Sequence, residues 1–368
     1  IMKSGVNWRA AVSESLSNVG FGSGGGSGFD YTSGSSPVVT TNPSSLGATW
    51  INTTSAEIFV ATDITTGENN WLGTAGTEVS FVPAYFGSRG LFGGGDGPSN
   101  VIEYVTIATT GNAIDFGDLT VARYRLAACS NGTRGVWGGG YISTYSNVID
   151  YITIATTGNA IDFGDLTVSR RSSAACSDGT KGLFGGGYTG SNSNVIDYVT
   201  IASTGNATDF GNLSVSRNVP AGCSNGTKGV FGGGSDDNLD DDIIDYVTIA
   251  TTGNATDFGN LSVGRFYVSA CSNRSRGLFG GGKTSSQSNV IDYVTIGTTG
   301  NATDFGNLTV SRNGPGACSD GTKGLWGGGN TGSNSNVIDY VTIATTGNAI
   351  DFGDLSVARS ILSACSGT

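Results

Sequence analysis

The sequence predicts an all-β chain arranged as a closed ring of six four-stranded units. Three observations predict it. An aromatic residue ahead of a glycine triplet recurs at Phe92, Trp137, Phe184, Phe231, Phe279 and Trp326, at spacings of 45, 47, 47, 48 and 47 residues. Each unit consists of short β-branched and aromatic runs cut by Gly, Asn and Ser, which are strand and turn signals, and no window carries a helical period. The last run, Ile361-Leu362-Ser363-Ala364-Cys365-Ser366, has no glycine triplet after it, while the first triplet has no Cys-Ser run before it. Four strands per unit at such a period are the signature of a β-propeller blade.

The unit at residues 181–217 shows how each strand is read. Gly182-Leu183-Phe184 leads into Gly185-Gly186-Gly187 and is the second strand, B. Val195-Ile196-Asp197-Tyr198-Val199-Thr200-Ile201, β-branched and aromatic, is strand C. A Ser-Thr-Gly-Asn turn leads to Asp209-Phe210-Gly211-Asn212-Leu213, strand D, and Arg217 ends the unit. Ala221-Gly222-Cys223-Ser224 opens the next unit as strand A, and Asn225-Gly226 is a hairpin signal returning the chain to Val230-Phe231. The tyrosines of strand C are Tyr104, Tyr151, Tyr198, Tyr246, Tyr293 and Tyr340, and the phenylalanines of strand D are Phe116, Phe163, Phe210, Phe258, Phe305 and Phe352. The orphan A strand at the C-terminus is expected to complete the first unit, so that the ring closes and no sheet edge stays open. The rival is a chain cut short of a seventh blade.

An apolar run ending in paired glycines, a Tyr-bearing strand, an aromatic in the fourth strand and an Arg before the next unit together resemble the kelch repeat. In the third unit these are Leu183-Phe184-Gly185-Gly186, Tyr198, Phe210 and Arg217, with Phe where Trp is usual. The resemblance covers roughly residues 85–368 and implies a propeller without implying one activity. Some kelch-like propellers are copper oxidases, which the absence of His in this sequence argues against.

Residues 1–45 read as a Gly/Ser-rich tether, 46–80 as a small β-hairpin module and 81–368 as the propeller. The hairpin pairs 47–54 with 57–62 around Ser55-Ala56, with Trp71 finishing it. The stretch GATWINTTSAEIFVATDITTGENNWLGT resembles a small module of tailed-phage structural proteins. A generic two-tryptophan hairpin is the other reading. The 62 glycines fit the turns and triplets, and the net charge of -11 argues against nucleic acid or an anionic membrane surface as partner. No apolar run reaches membrane-spanning length. The six cysteines, one per unit, read as small buried residues of the innermost strands; disulfides and a metal-thiolate ring are the alternatives.

Comparing the copies with one another separates two kinds of connection. The A–B and C–D turns hardly change, whereas the B–C and D–A connections differ in every unit. Antiparallel strands put B–C and D–A on the same face, so that face is expected to bind a ligand. Its candidate residues are Tyr124, Arg125, Tyr141, Tyr145, Arg171, Tyr188, Phe266, Tyr267 and Lys283. Drift in unconstrained loops explains the variation as well. The acidic run holding Asp236, Asp237, Asp240, Asp241 and Asp242 reads as a solvated loop or a calcium site; no other cofactor is expected. The Asp of strand D (Asp115, Asp162, Asp209, Asp257, Asp304 and Asp351) and the following Arg (Arg123, Arg170, Arg217, Arg265, Arg312 and Arg359) recur in all six units, and are expected to be ion pairs or backbone clamps rather than catalytic groups.

The functional expectation is a non-enzymatic, extracellular virion-surface or tail-appendage protein. Its partners would be other virion components and a host-surface glycan or protein, within a larger assembly and without membrane insertion. The alternatives are an assembly module docking through the uniform face, and an enzyme acting on polysaccharide.

Overall fold

The computed structural model describes residues 31–33, 48–52, 57–63, 70–73, 78–79, 87–236, 241–273 and 275–367. The chain divides into two compact units, 1–82 and 83–368. Among the described residues the secondary structure is entirely strand, and no helix is long and apolar enough to cross a membrane.

In the first unit, β1 (Tyr31–Ser33), β2 (Thr49–Asn52), β3 (Glu57–Asp63), β4 (Asn70–Gly73) and β5 (Glu78–Val79) form one sheet in that order. β2 and β3 are the expected antiparallel hairpin, with Ile51 opposite Ile58, and Ile51 and Phe59 are fully buried. The turn at 55–56 lies outside the described residues. β1 pairs in parallel with β2, so three residues of the stretch read as tether belong to the sheet.

In the second unit six antiparallel sheets of four strands follow one another. Blade 1 is β6 (Arg89–Gly93), β7 (Ser99–Thr106) and β8 (Ile114–Arg123), completed by β29 (Ser363–Gly367). Blade 2 is β9 (Ala127–Ser130), β10 (Arg134–Gly138), β11 (Val148–Thr153) and β12 (Ile161–Asp165). Blade 3 is β13 (Ala174–Ser177), β14 (Lys181–Gly185), β15 (Val195–Thr200) and β16 (Thr208–Asn212). Blade 4 is β17 (Ala221–Ser224), β18 (Lys228–Gly232), β19 (Ile243–Thr248) and β20 (Thr256–Asn260). Blade 5 is β21 (Ser269–Ser272), β22 (Arg276–Gly280), β23 (Val290–Thr295) and β24 (Thr303–Asn307). Blade 6 is β25 (Gly316–Ser319), β26 (Lys323–Gly327), β27 (Val337–Thr342) and β28 (Ile350–Asp354). The closure expected from the sequence is present: Ala364 and Cys365 of β29 lie opposite Phe92 and Leu91 of β6. The fold is an all-β, six-bladed propeller.

The apolar core lies between blades rather than within them. One cluster joins Cys129, Val136, Ile149 and Phe163 of blade 2 to Phe184, Val199 and Ile201 of blade 3, and five others repeat it around the ring. Two glycines of every second strand make room for it. A methyl group on Gly185 would lie 2.9 Å from the Phe231 ring of the next blade, and one on Gly182 would lie 2.6 Å from the Cys129 sulfur of the previous blade. Each aromatic of strand B therefore fits against a bare backbone, which is why it recurs beside glycine. The six cysteines are free and buried, as expected. Burial pushes the Cys129 and Cys223 thiols up to about 12, which keeps them protonated and unreactive.

Candidate ligand-binding face

The uniform turns are held by the chain itself. The Gly158 N–H donates to the Phe116 carbonyl at 2.8 Å, the Ala160 N–H to the Asp118 carbonyl at 2.7 Å, and the Asn159 Oδ1 accepts from the Asp118 N–H at 3.0 Å. Each Thr-Thr-Gly-Asn-Ala turn thus docks on the fourth strand of the preceding blade, and Gly205, Gly253, Gly300, Gly347 and Gly111 repeat the first bond. Within the A–B turns, Asn131, Asp178, Asn225, Asn273 and Asp320 accept backbone hydrogen bonds from two residues on. Their sameness follows from bonds inside the molecule.

The recurring arginines are also internal. Arg170, at the end of blade 2, reaches into blade 3, where it donates to the Val195 and Phe184 carbonyls and pairs with Asp197 at 2.8 Å. The other oxygen of Asp197 accepts from the Thr167 hydroxyl at 2.5 Å. Arg123–Asp150, Arg217–Asp245, Arg265–Asp292, Arg312–Asp339 and Arg359–Glu103 repeat the pair at 2.6–3.0 Å. Burial pulls the Arg170 guanidinium below its ordinary value while Asp197 opposes the shift, and burial pushes the Asp150 carboxyl up while Arg123 opposes it. The clamp role is as expected, but its acid is that of strand C. The strand D residues Asp115, Asp162, Asp209, Asp257, Asp304 and Asp351 are exposed on the outer strand of each blade.

The variable connections do meet on one face. Tyr124 of a D–A connection and Tyr141 of a B–C connection exchange backbone hydrogen bonds at 2.8 and 3.2 Å, and Arg171–Tyr188, Asn218–Ser235, Phe266–Lys283 and Asn313–Asn330 are bridged likewise. Tyr124, Tyr141, Tyr145 and Tyr188 form a continuous row, with successive ring centroids 5.7–5.9 Å apart. Arg171 lies over Tyr141, Tyr145 and Tyr188 at 5.1–5.8 Å. Arg125 lies between Tyr124 at 5.7 Å and Tyr267 at 5.4 Å, and Tyr267 in turn packs on Phe266 at 5.3 Å. Eight of the nine candidate residues are joined by ring and cation–π contacts, and Lys283 reaches the group through its backbone bridge to Phe266.

At the centre of this face is the mouth of the axial channel. Arg125, Ser172, Val219, Tyr267, Gly314 and Ile361, one per blade, ring a cavity of about 100 Å³. All six have a left-handed backbone, with φ of 52–61°, a conformation costly for β-branched Val219 and Ile361. Five backbone hydrogen bonds link them around the mouth, with a break between Val219 and Tyr267: Ser172 N–H to Arg125, Val219 to Ser172, Gly314 to Tyr267, Ile361 to Gly314 and Arg125 to Ile361 carbonyls. The sequence names Arg125 and Tyr267 of this circle as candidates, but apart from Gly314 it carries no sign of the left-handed backbone. Ser172 and Ser173, which are not among the sequence candidates, also line the cavity; the signal for them is a polar pair where other blades have residues such as Val219-Pro220 or Ile361-Leu362.

The acidic run is partly outside the described residues: Asp237 and Asp240 are not described, and Asp236 and Asp242 are exposed. Asp241 is buried, accepts from the Ile243 N–H at 2.9 Å and lies 3.4 Å from Arg217. It stands where Ser146, Ser193, Ser288 and Ser335 make the same turn-closing bond, so it is a structural residue and not a free ligand. Among the described residues no group of three or more His, Cys, Asp or Glu side chains is placed to hold a metal ion. Neither a family model nor a curated protein matches the chain.

Proposed function

We propose that the chain is a non-enzymatic binding protein whose propeller holds a host-surface glycan on its variable face. The observation that carries this reading is the contrast between the two faces. The repeated turns are held by bonds within themselves and to the neighbouring blade, whereas the variable connections gather tyrosine rings and arginines around the channel mouth. Aromatic faces stack on the C–H surfaces of sugars, and rings held rigid by their neighbours lose little entropy on binding. Because intramolecular bonds account for the uniform turns, those turns give no support to docking through the opposite face. The resemblance of residues 47–74 to a tailed-phage module supports the setting proposed here, a virion surface or tail appendage touching its host. The kelch-like motifs support the same use of the propeller as a rigid platform.

Replacing Tyr141, Tyr188 and Tyr267 together by Ala is expected to abolish binding to host cells or to an arrayed glycan, with the fold intact by circular dichroism. Undiminished adsorption by the triple variant would exclude this face as the binding surface.

A further inference from the structure

Two guanidiniums on the variable face have no acid to answer them. Each blade junction uses an arginine in the buried clamp, and each second strand opens with an Arg or Lys that lies over a tyrosine, as Lys181 does over Tyr198, and donates to turn carbonyls of the next blade. Arg125 and Arg171 belong to neither set. No carboxylate of a described residue lies within ion-pair distance of either. Tyrosine rings hold both in place. The carboxylate of this face that acts on Tyr267 is the exposed Asp96.

The cavity beside them is built for a hydrogen-bond acceptor. Ser172 and Ser173 are 5% and 7% exposed, line the cavity with Arg125, and carry buried hydroxyls with no partner. The Tyr267 ring closes the opposite side. Val219, Gly314 and Ile361 complete the circle without polar side-chain atoms, so its arginine and serine, Arg125 and Ser172, stand side by side. Buried polar groups in folded proteins are nearly always satisfied, and here two hydroxyls without partners line the same cavity as Arg125. A volume of about 100 Å³ takes a carboxylate-sized group and not a sugar ring. The planar guanidinium fork matches the oxygens of such a group.

Resting on the glycan reading above, we infer that the channel mouth is an oxyanion subsite: Arg125, Ser172 and Ser173, with the charge of Arg171 on the neighbouring tyrosines, take the charged group of an acidic sugar. Its ring lies against the adjoining tyrosine row. The charged group is a carboxylate, as in uronic and sialic acids, or a sulfate ester.

The test is titration calorimetry on the full chain with three matched pairs: trigalacturonate and its methyl ester, sialylated lactose and lactose, sulfated galactotriose and galactotriose. At least one charged sugar is expected to bind about tenfold or more tightly than its neutral counterpart; which one identifies the anion. Arg125→Gln should erase that preference, and Arg125→Lys should retain part of it. Ser173→Asp, which leaves both arginines in place and puts a carboxylate in the cavity, should erase it too. Equal binding of charged and neutral sugars, lost on replacing Tyr141, Tyr188 and Tyr267, overturns the subsite and leaves the binding face standing. A charge preference that survives Arg125→Gln combined with Arg171→Gln also overturns it. Failure of every sugar to bind, or retention of an acidic peptide alone, overturns both readings.

Discussion

Arg170 is worth more to the ring than its charge suggests. It leaves the last strand of one blade, is fully buried in the next, and bonds at once to two carbonyls and to Asp197. Removing one partner of a buried pair leaves an uncompensated charge, which costs about 3–5 kcal/mol. Arg170→Ala is therefore expected to lose that much stability in urea denaturation, while Asp162→Ala, on the exposed outer strand, stays within about 0.5 kcal/mol. Equal effects of the two substitutions would return the acid of the clamp to strand D. The arginine was legible in the sequence because it recurs. Its partner was not, because two acids recur with it, and only the geometry of the junction decides that Asp197, 27 positions on, faces the guanidinium.

At the scale of the strand, the second strand of each blade is a lock between neighbours. Its first glycine receives the sulfur of the previous blade's cysteine, its last receives the aromatic ring of the next blade, and its own aromatic fills the corresponding place behind it. Gly182→Ala is expected to cost about 1–3 kcal/mol by overpacking against Cys129. Cys129→Ala empties that space, so the double variant should be more stable than the sum of the two single effects implies, by about 1 kcal/mol. Strict additivity in thermal or chemical unfolding would mean that the two residues do not share one space. The strand's alternation and glycines could be read in the sequence. That Cys129 explains Gly182, 53 residues away in the chain, depends on how two blades stack.

For the whole molecule the decisive contact is β29 on β6. Five consecutive pairs, from Ser363 with Gly93 to Gly367 with Arg89, join the two ends of the propeller. Deleting residues 363–368 would strip the inner edge of β6, removing a short ladder whose hydrogen bonds contribute about 1 kcal/mol each and exposing a strand edge to other chains. The truncated chain is expected to unfold at lower urea and to self-associate on a sizing column, and a peptide of the deleted sequence should reverse both. A monomer as stable as the full chain would show that closure contributes little. The variable face also belongs to this scale, since Tyr124, Arg171 and Tyr267 come together only when three blade junctions are set around one axis.

For the propeller the amino-acid sequence by itself determined the strands, their number, the closing of the ring and the face on which the variable loops gather, because a repeat spacing and an alternating pattern are local and are written into each copy. It also named the tyrosines and arginines of the candidate site. The tertiary structure alone decided which acid meets which arginine, that Asp241 is occupied by Arg217 and Ile243, and that Ser172 and Ser173 share a cavity with Arg125. Those outcomes depend on distances between different blades. A chain of near-identical units can fix each unit's form many times over, yet the spaces between units exist only once the units are arranged around the axis.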